Sequence, residues 1–387
     1  MTNCSKCLHV LECGGCSVQD IAYAIQLEQK QALVASLFAP FNVPVRPIIP
    51  CKNVWHYRNK MEFSFSQNKA GDRFLGLIIK SSRGKVFNLQ ECHLASPWFS
   101  HTLLQVRKWW DETSLRAFNF RSGEGVLRNL TLRESKRTAQ RLIMLTVSGD
   151  PNYPIHRSQL TSFVEAVGDP SASIFLRVQQ CIKGQPTQFY ELHLSGPDHI
   201  TEELEVLGQP FTFKISPTSF FQPNTEQAEN LYTEALKLVN LSKETHVWDL
   251  YCGTATIGMS MAPHVRKVTA IELNPHAVFD AKANAEANNI TNIEIICGDV
   301  GKVLKGASFE PPDLVILDPP RMGLDPLALE MLQTLLPKQI LYISCNPETQ
   351  AKNITALKGY AIQTIQPVDQ FPHTRHIENI VVLTRLL

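Results

Sequence analysis

Through the second half of the chain, short apolar runs alternate with amphipathic stretches, and nearly every run stops at a polar residue. The runs are Val247–Leu250, Lys267–Glu272, Ile293–Cys297, Leu314–Leu317 and Leu341–Ile343, with a last one at Ile380–Leu383. Continuous apolar segments this short, separated by stretches long enough for a helix, predict buried strands of a parallel α/β sheet. Asn274-Pro275 marks one intervening helix start, since asparagine caps free N–H groups and proline has no N–H to lose at the first helical position. Another helix is predicted after Ser219-Phe220-Phe221-Gln222-Pro223-Asn224, running to about Val239.

The first half reads differently. Ile21 to Phe38 has apolar residues at helical spacing and predicts a packing helix with no chemistry in it. Met61-Glu62-Phe63-Ser64-Phe65-Ser66 then alternates, and further strands are predicted at Asn129–Arg133, Arg141–Leu145, Ser173–Gln179 and Gln188–Leu194. These make a mainly antiparallel β domain. Gly196-Pro197-Asp198 and Pro217 loosen the chain, so a boundary is expected near 200–216. The domains expected are 1–20, a cysteine loop; 21–215, the β domain; and 216–387, the parallel sheet.

The 387 residues exceed the usual size of one domain, which agrees with this division. A net charge of +1 means that any nucleic-acid site must be a local patch. Two segments qualify. Lys52 to Lys60 interleaves basic residues with Trp55 and Tyr57 and contains no acid, and Arg121 to Arg141 holds six Arg or Lys against two Glu. Bases and phosphates are bound by such mixtures, and the second excess favours a phosphate-facing sheet. No apolar signal region opens the chain and no stretch approaches the roughly 18 apolar residues of a membrane span, so a cytoplasmic protein is expected.

Ten cysteines in that setting argue for metal or catalytic roles over disulfides. Cys7, Cys13 and Cys16, with Gly14-Gly15 between the last pair, can point three thiolates at one centre. Cys92 is the preferred fourth ligand because it ends an expected hairpin strand, and Cys4 competes with it. An iron–sulfur cluster is favoured over zinc.

The polar residues at the ends of the parallel strands carry the remaining chemistry. Asp249 is followed by Tyr251-Cys252-Gly253-Thr254-Ala255-Thr256-Ile257-Gly258, a strand-turn-helix unit where a glycine lets the backbone approach a ligand. Glu272, about 20 residues on, stands where a carboxylate receives ribose hydroxyls. Asp299 and Asp318 end the next two strands. Four acids without a phosphate-binding loop fit a nucleoside cofactor, and S-adenosylmethionine leads the candidates. Cys345, in Ser344-Cys345-Asn346-Pro347, brings a thiol to the same edge and is the candidate nucleophile. Glu378 precedes an apolar run where a carboxylate is costly unless used or paired, which places it above His373 and His376.

Phe221-Gln222, Asp249 to Gly253, Asp318-Pro319-Pro320-Arg321, Ser344 to Pro347 and Asp369-Gln370-Phe371-Pro372-His373-Thr374 with Glu378 resemble the RNA uracil-5-methyltransferases, which make 5-methyluridine in ribosomal RNA or, as the alternative, in transfer RNA. The resemblance covers the C-terminal domain and the cysteines Cys7, Cys13, Cys16 and Cys92, and the chain's start near those cysteines is most like the shorter 23S ribosomal-RNA members. It implies a Rossmann-like class I methyltransferase sheet, a [4Fe–4S] cluster on those four cysteines, and S-adenosylmethionine contacts at Gln222, Tyr251, Thr256, Glu272, Asp299 and Asp318. It also implies Cys345 as nucleophile, Glu378 as base, and RNA as substrate for a monomer that needs no membrane. Two positions depart from the family's pattern: Thr256 stands where some members carry Asn, and Ala255 where they carry glycine. Two rivals are weighed. An amino-group methyltransferase has no use for Cys345 or Glu378, and a non-catalytic iron–sulfur RNA-binding protein would not need that pair.

Overall fold

The computed structural model describes residues 7–182, 184–306 and 310–386. Cys4 lies outside them. The chain forms two compact units, Met1–Gln19 with Trp55–Glu202, and Asp20–Val54 with Glu203–Leu387. The difference from the domains expected from the sequence is largest at helix α1 (Tyr23–Phe38), which falls in the second unit and not in the β domain. Its buried stripe is Gln26, Lys30, Val34 and Phe38, and the two apolar members join the core of the second unit beside Trp248, Val315 and Tyr342. No helix among the described residues is long and apolar enough to cross a membrane.

The first unit is built on β1 (Lys60–Gln67), β2 (Arg73–Gly76), β3 (Leu127–Glu134), β4 (Arg141–Ser148), β5 (Ser173–Gln180) and β6 (Gln188–Ser195), in the order β2-β1-β3-β4-β5-β6. Neighbours are antiparallel except β4 and β5, which are parallel because helix α3 (Arg157–Val167) carries the chain back between them. Helix α2 (Pro97–Asp111) joins α3 over one face of this sheet. Phe99, Leu103, Trp110 and Phe163 from the helices meet Phe63, Leu130, Leu132, Ile143, Leu145 and Leu176 from the strands in one apolar cluster. The other face carries the alternate residues, with Asn129, Thr146, Arg177 and Glu191 side by side. A bulge between Leu127 and Asn129 leaves Arg128 outside the regular pairing.

Arg128 and Arg133 correct the expectation of a phosphate-facing sheet at these positions, since both are buried. Strand β3 is interior to the sheet, and Arg128 lies against the Phe118 ring, 3.5 Å from its centroid. The hairpin strand expected to end at Cys92 is also corrected: Cys92 lies in an irregular segment, reached after an extended stretch in which Phe87 and Leu89 N–H donate to Leu77 and Leu75 carbonyls. That stretch runs so close that a Cβ on Gly76 would stand 2.1 Å from the Phe87 oxygen.

Strands β7 (Ile200–Val206) and β8 (Gln209–Ile215) form a hairpin across the expected boundary. Leu207 and Gly208 both have positive φ, as the tight two-residue turn of a twisted hairpin requires.

The second unit holds β9 (His246–Leu250), β10 (Lys267–Glu272), β11 (Ile293–Cys297), β12 (Leu314–Leu317), β13 (Gln339–Ser344), β14 (Tyr360–Val368) and β15 (Glu378–Arg385) in the order β11-β10-β9-β12-β13-β15-β14. All are parallel except β15, which runs opposite to both neighbours. The intervening helices are α4 (Thr225–Lys237), α5 (Thr256–Met261), α6 (Pro275–Ala287), α7 (Val300–Gly306), α8 (Pro326–Leu335) and α9 (Pro347–Ala356). Asn224, Asn274, Asp325 and Asn346 cap α4, α6, α8 and α9 by accepting backbone N–H groups, and Pro opens the last three. The strand order turns back on itself between β9 and β12. In such sheets a crevice opens outside the carboxyl ends of the strands at that switch point.

Candidate active site

Three residues of the turn after β9, Tyr251, Gly253 and Ala255, have positive φ. A non-glycine residue tolerates that conformation only where its surroundings enforce it. Glu272, at the end of β10, supplies part of that enforcement: one carboxylate oxygen accepts the Gly253 N–H at 2.9 Å and the other accepts the Asn274 N–H at 2.8 Å. Asp249 holds the start of α5, accepting the Gly258 N–H at 2.9 Å, and a Cβ on Gly258 would lie 2.7 Å from that same carboxylate. Gly253 faces open space, with no atom within 4 Å of where its Cβ would be. Thr254 and Thr256 hydroxyls pair at 3.1 Å, Asp299 accepts the Lys302 N–H at 3.0 Å, and the Tyr251 hydroxyl donates to Asp325 at 3.0 Å.

These residues fit S-adenosylmethionine by the chemistry of the donor set. Glu272 and Asp299 are part-exposed carboxylates at adjacent strand ends, each with lone pairs left to accept hydroxyl or amino hydrogens. Gly253 leaves bare backbone facing open space beside them. Asp318 follows β12 at the switch point. It keeps some exposed surface, but its carboxyl is sunk deeply enough that burial pushes its pKa up to about 7.

Cys345 and Glu378 are brought together by strand register. Ser344 of β13 pairs with Asn379 of β15, so the thiol and the carboxyl are the next residues along, at one edge of the sheet. Burial, then the neighbouring Glu378 and Asp318, push the Cys345 thiol up to about 11, while the Arg321 guanidinium, hydrogen-bonded to the sulfur, opposes them. Glu378 is buried, and its pKa is driven well above the carboxylate range by that burial and by Asp318, with Arg321 again opposing. Arg321 is itself held from α9: its carbonyl accepts the Asn346 amide at 3.2 Å and the Thr349 hydroxyl at 3.3 Å.

Sequence reasoning missed two groups here. Tyr232 of α4, buried and hydrogen-bonded to Gln222, has its phenol pKa raised by burial and by the nearby Asp318 and Glu378. On the apolar face of a helix, a tyrosine with this role cannot be told from core. The second group is the polar stripe of α1. Lys30 Nζ lies 2.5 Å from Asp369 and donates to the Phe371 carbonyl at 3.2 Å. The Tyr23 hydroxyl donates to the other Asp369 oxygen at 2.8 Å. Gln26 accepts the His373 N–H at 2.9 Å and its amide meets His373 Nδ1 at 3.2 Å. His373 has positive φ, and burial lowers its pKa to about 4, so the ring is neutral. From α4, Gln227 donates to the Asp369 carbonyl at 3.1 Å. The segment leading into Glu378 is therefore fastened from two helices. His376 remains exposed, 3.4 Å from Arg321.

In the first unit the cysteine loop is laid along the segment that carries Cys92. His9 accepts the Gln90 N–H and Glu91 accepts the Leu8 N–H, each at 3.0 Å, and Cys13 bridges Ile79. Cys16 is close enough to Cys92, Cys13 and Cys7 that all three act on it, and burial with their help pushes its thiol up to about 12. Cys7 also has Glu91 and His93 near it, with ligand atoms within 4.8 Å of one another, whereas no three of the four thiols lie that close together among the described residues.

A sheet of this order, parallel but for β15 and with acids at successive strand ends beside a glycine turn, is the arrangement of the class I S-adenosylmethionine-dependent methyltransferases. The model of the tRNA (Uracil-5-)-methyltransferase family matches residues 190–386. An uncharacterized RNA methyltransferase of Protochlamydia amoebophila is 48% identical over 98% of this chain and 90% of its own. One of Chlamydia trachomatis is 36% identical over 100% of both chains. The crystal structure of Pyrococcus abyssi tRNA (uracil-54, C5)-methyltransferase in complex with S-adenosyl-L-homocysteine is similar with a TM-score of 0.75 and 28% identity, covering 96% of this chain and 86% of that one. The chain belongs to the tRNA (uracil-5-)-methyltransferase family.

Proposed function

We propose that the protein methylates carbon 5 of a uridine in 23S ribosomal RNA, with Cys345 as nucleophile and Glu378 as base. The observation that carries this reading is the convergence of Cys345, Glu378, Asp318 and Arg321 at one sheet edge. Carbon 5 of uracil is a weak nucleophile. The Cys345 sulfur forms a bond to carbon 6, and the electron pair displaced from the double bond makes carbon 5 enolate-like. Bound S-adenosylmethionine supplies the methyl group to carbon 5. Glu378, as carboxylate, takes the carbon-5 proton, the double bond re-forms, and the carbon–sulfur bond breaks to return the thiolate. The target base must leave its stack to reach such a site. Gln222, Tyr251, Thr256, Glu272, Asp299 and Asp318 would hold the cofactor.

Arg321 has a definable part, because it opposes burial, Glu378 and Asp318 and favours the Cys345 thiolate. Arg321→Met is expected to move the rising limb of the methylation pH profile to higher pH and to cut the rate near neutrality by about tenfold for each unit moved. A profile left in place would remove Arg321 from the activation of the thiol.

Cys7, Cys13, Cys16 and Cys92 are assigned to a [4Fe–4S] cluster. Zinc also accepts four thiolates, but a Gly14-Gly15 loop between two cysteines with a distant fourth thiolate suits a cluster. Protein purified without oxygen is expected to carry iron and sulfide with visible charge-transfer absorption, and Cys13→Ser to lose both. Stoichiometric zinc without iron would contradict the assignment. The β-sheet of the first unit is assigned to RNA binding. A nucleophilic thiol and cluster thiolates need a reducing compartment, which supports a cytoplasmic enzyme, and it is taken to act as a monomer.

The Pyrococcus abyssi structure favours a second reading, a tRNA substrate. RNA labelled with tritium at carbon 5 of uridine separates the two, because methylation there displaces the label. Release from 23S rRNA transcripts and not from tRNA transcripts is expected. The reverse preference would establish the second reading, and release from neither would contradict both.

A further inference from the structure

At one end of the open face of the six-stranded sheet, two arginines lie against aromatic rings. The Arg128 guanidinium is 3.5 Å from the Phe118 centroid and 5.5 Å from that of Phe120, and the two rings meet edge to face at 5.2 Å. Arg177 is 4.0 Å from the Phe189 centroid and pairs with Glu191 at 3.0 Å. The two stacks are contiguous. Phe189 is opposite Gln179 in the register, the Gln179 amide donates to Cys181 Sγ at 3.7 Å, and Arg128 donates to the same sulfur at 3.9 Å. Edge strand β6 leaves the patch open on one side. Phe120 is 80% exposed and Phe189 43%, large apolar surfaces that water covers poorly.

We propose that this patch, Arg128 and Phe118 with Phe120, Arg177 and Phe189, is a stacking platform for unpaired bases of the RNA substrate. A base fits it in three ways. Its π-face matches the exposed Phe120 and Phe189 rings, its phosphate answers the charge of part-exposed Arg177, and its edge can bond Gln179 and Glu191 beside the rings. An apolar protein partner matches it less well, since Phe189 is backed by the part-exposed Arg177–Glu191 pair that such a partner would have to desolvate. Flipping a uridine also leaves neighbouring bases without a stacking partner, and a platform replaces what they lose. The inference rests on the family's RNA substrate and is independent of the roles given to Cys345 and Glu378.

The test is binding of the full-length protein to a fluorescent single-stranded oligouridylate of about twelve nucleotides, long enough to cover the patch, against a duplex of equal length. Phe120→Ala and Phe189→Ala are each expected to weaken single-strand binding by roughly tenfold and the pair by more, with little change for the duplex. The slope of affinity against salt should stay as it is, because the rings carry no charge. Phe120 is exposed, so its variant is expected to keep the wild-type melting temperature and reports on binding alone. An unchanged affinity in the double variant would overturn the proposal. So would intact RNA binding accompanied by loss of a concentration-dependent dimer in light scattering, which would assign the open edge to self-association.

Discussion

Glu378→Gln is expected to leave methylated RNA covalently attached to the protein. Addition of Cys345 and methyl transfer need no base at carbon 5, but elimination does, and a glutamine cannot take the proton. The burial that raises the Glu378 pKa also keeps water, the alternative base, from the site. On a denaturing gel the adduct should appear as a slow band that depends on S-adenosylmethionine and contains label from its methyl group. Turnover should fall by two orders of magnitude or more, within the usual contribution of a positioned base, about 10²–10⁴-fold. Cys345→Ala should form neither adduct nor product and should abolish the band when combined with Glu378→Gln. Normal turnover by Glu378→Gln, or methylation by Cys345→Ala, would reassign both residues.

Lys30→Met is expected to have the largest effect on stability. Lys30 and Asp369 have side chains 5% and 0% exposed, and removal of the ammonium would leave Asp369 buried with only the Tyr23 hydroxyl on its carboxylate. Breaking a buried pair from one side costs about 3–5 kcal/mol. For a chain of this size that lowers the melting temperature by on the order of 10 °C. Adding Asp369→Asn should recover part of the loss, since no charge is then stranded, and a double-mutant cycle reads the coupling directly. Strictly additive losses would mean that the pair is not the fastening it is taken to be. The segment it fastens ends at Glu378, so surviving Lys30→Met protein should also accumulate some of the adduct expected of Glu378→Gln.

The parallel sheet was legible because its strands announce themselves as apolar runs: Lys267–Glu272 and Leu314–Leu317 match the interior strands β10 and β12 residue for residue, and Ile293–Cys297 matches the part-exposed edge strand β11. The caps Asn274 and Asn346 were legible for a local reason too, since an asparagine before proline bonds within its own turn. What escaped was long-range. Nothing near Lys30 in the chain marks it as the partner of Asp369, and a lysine on an apolar helix stripe reads as an exposed residue until the opposite charge is seen beside it. From the sequence alone, helix α1 for that reason looks like packing without chemistry. The charge excess from Arg121 to Arg141 misled in a related way, because composition gives the sign of a segment and not the face on which each side chain lies. Arg128 and Arg133 proved buried, and the aromatic partners that define the Arg128 environment became apparent only with the fold.

The most direct test of the central claim is a map of 5-methyluridine in 23S rRNA and tRNA, made by mass spectrometry of nuclease fragments from cells with and without this protein. Cells lacking it are expected to lose 5-methyluridine from 23S rRNA, to regain it with the wild-type chain, and not to regain it with Cys345→Ala. Identical maps with and without the protein, or a loss confined to tRNA, would contradict the account.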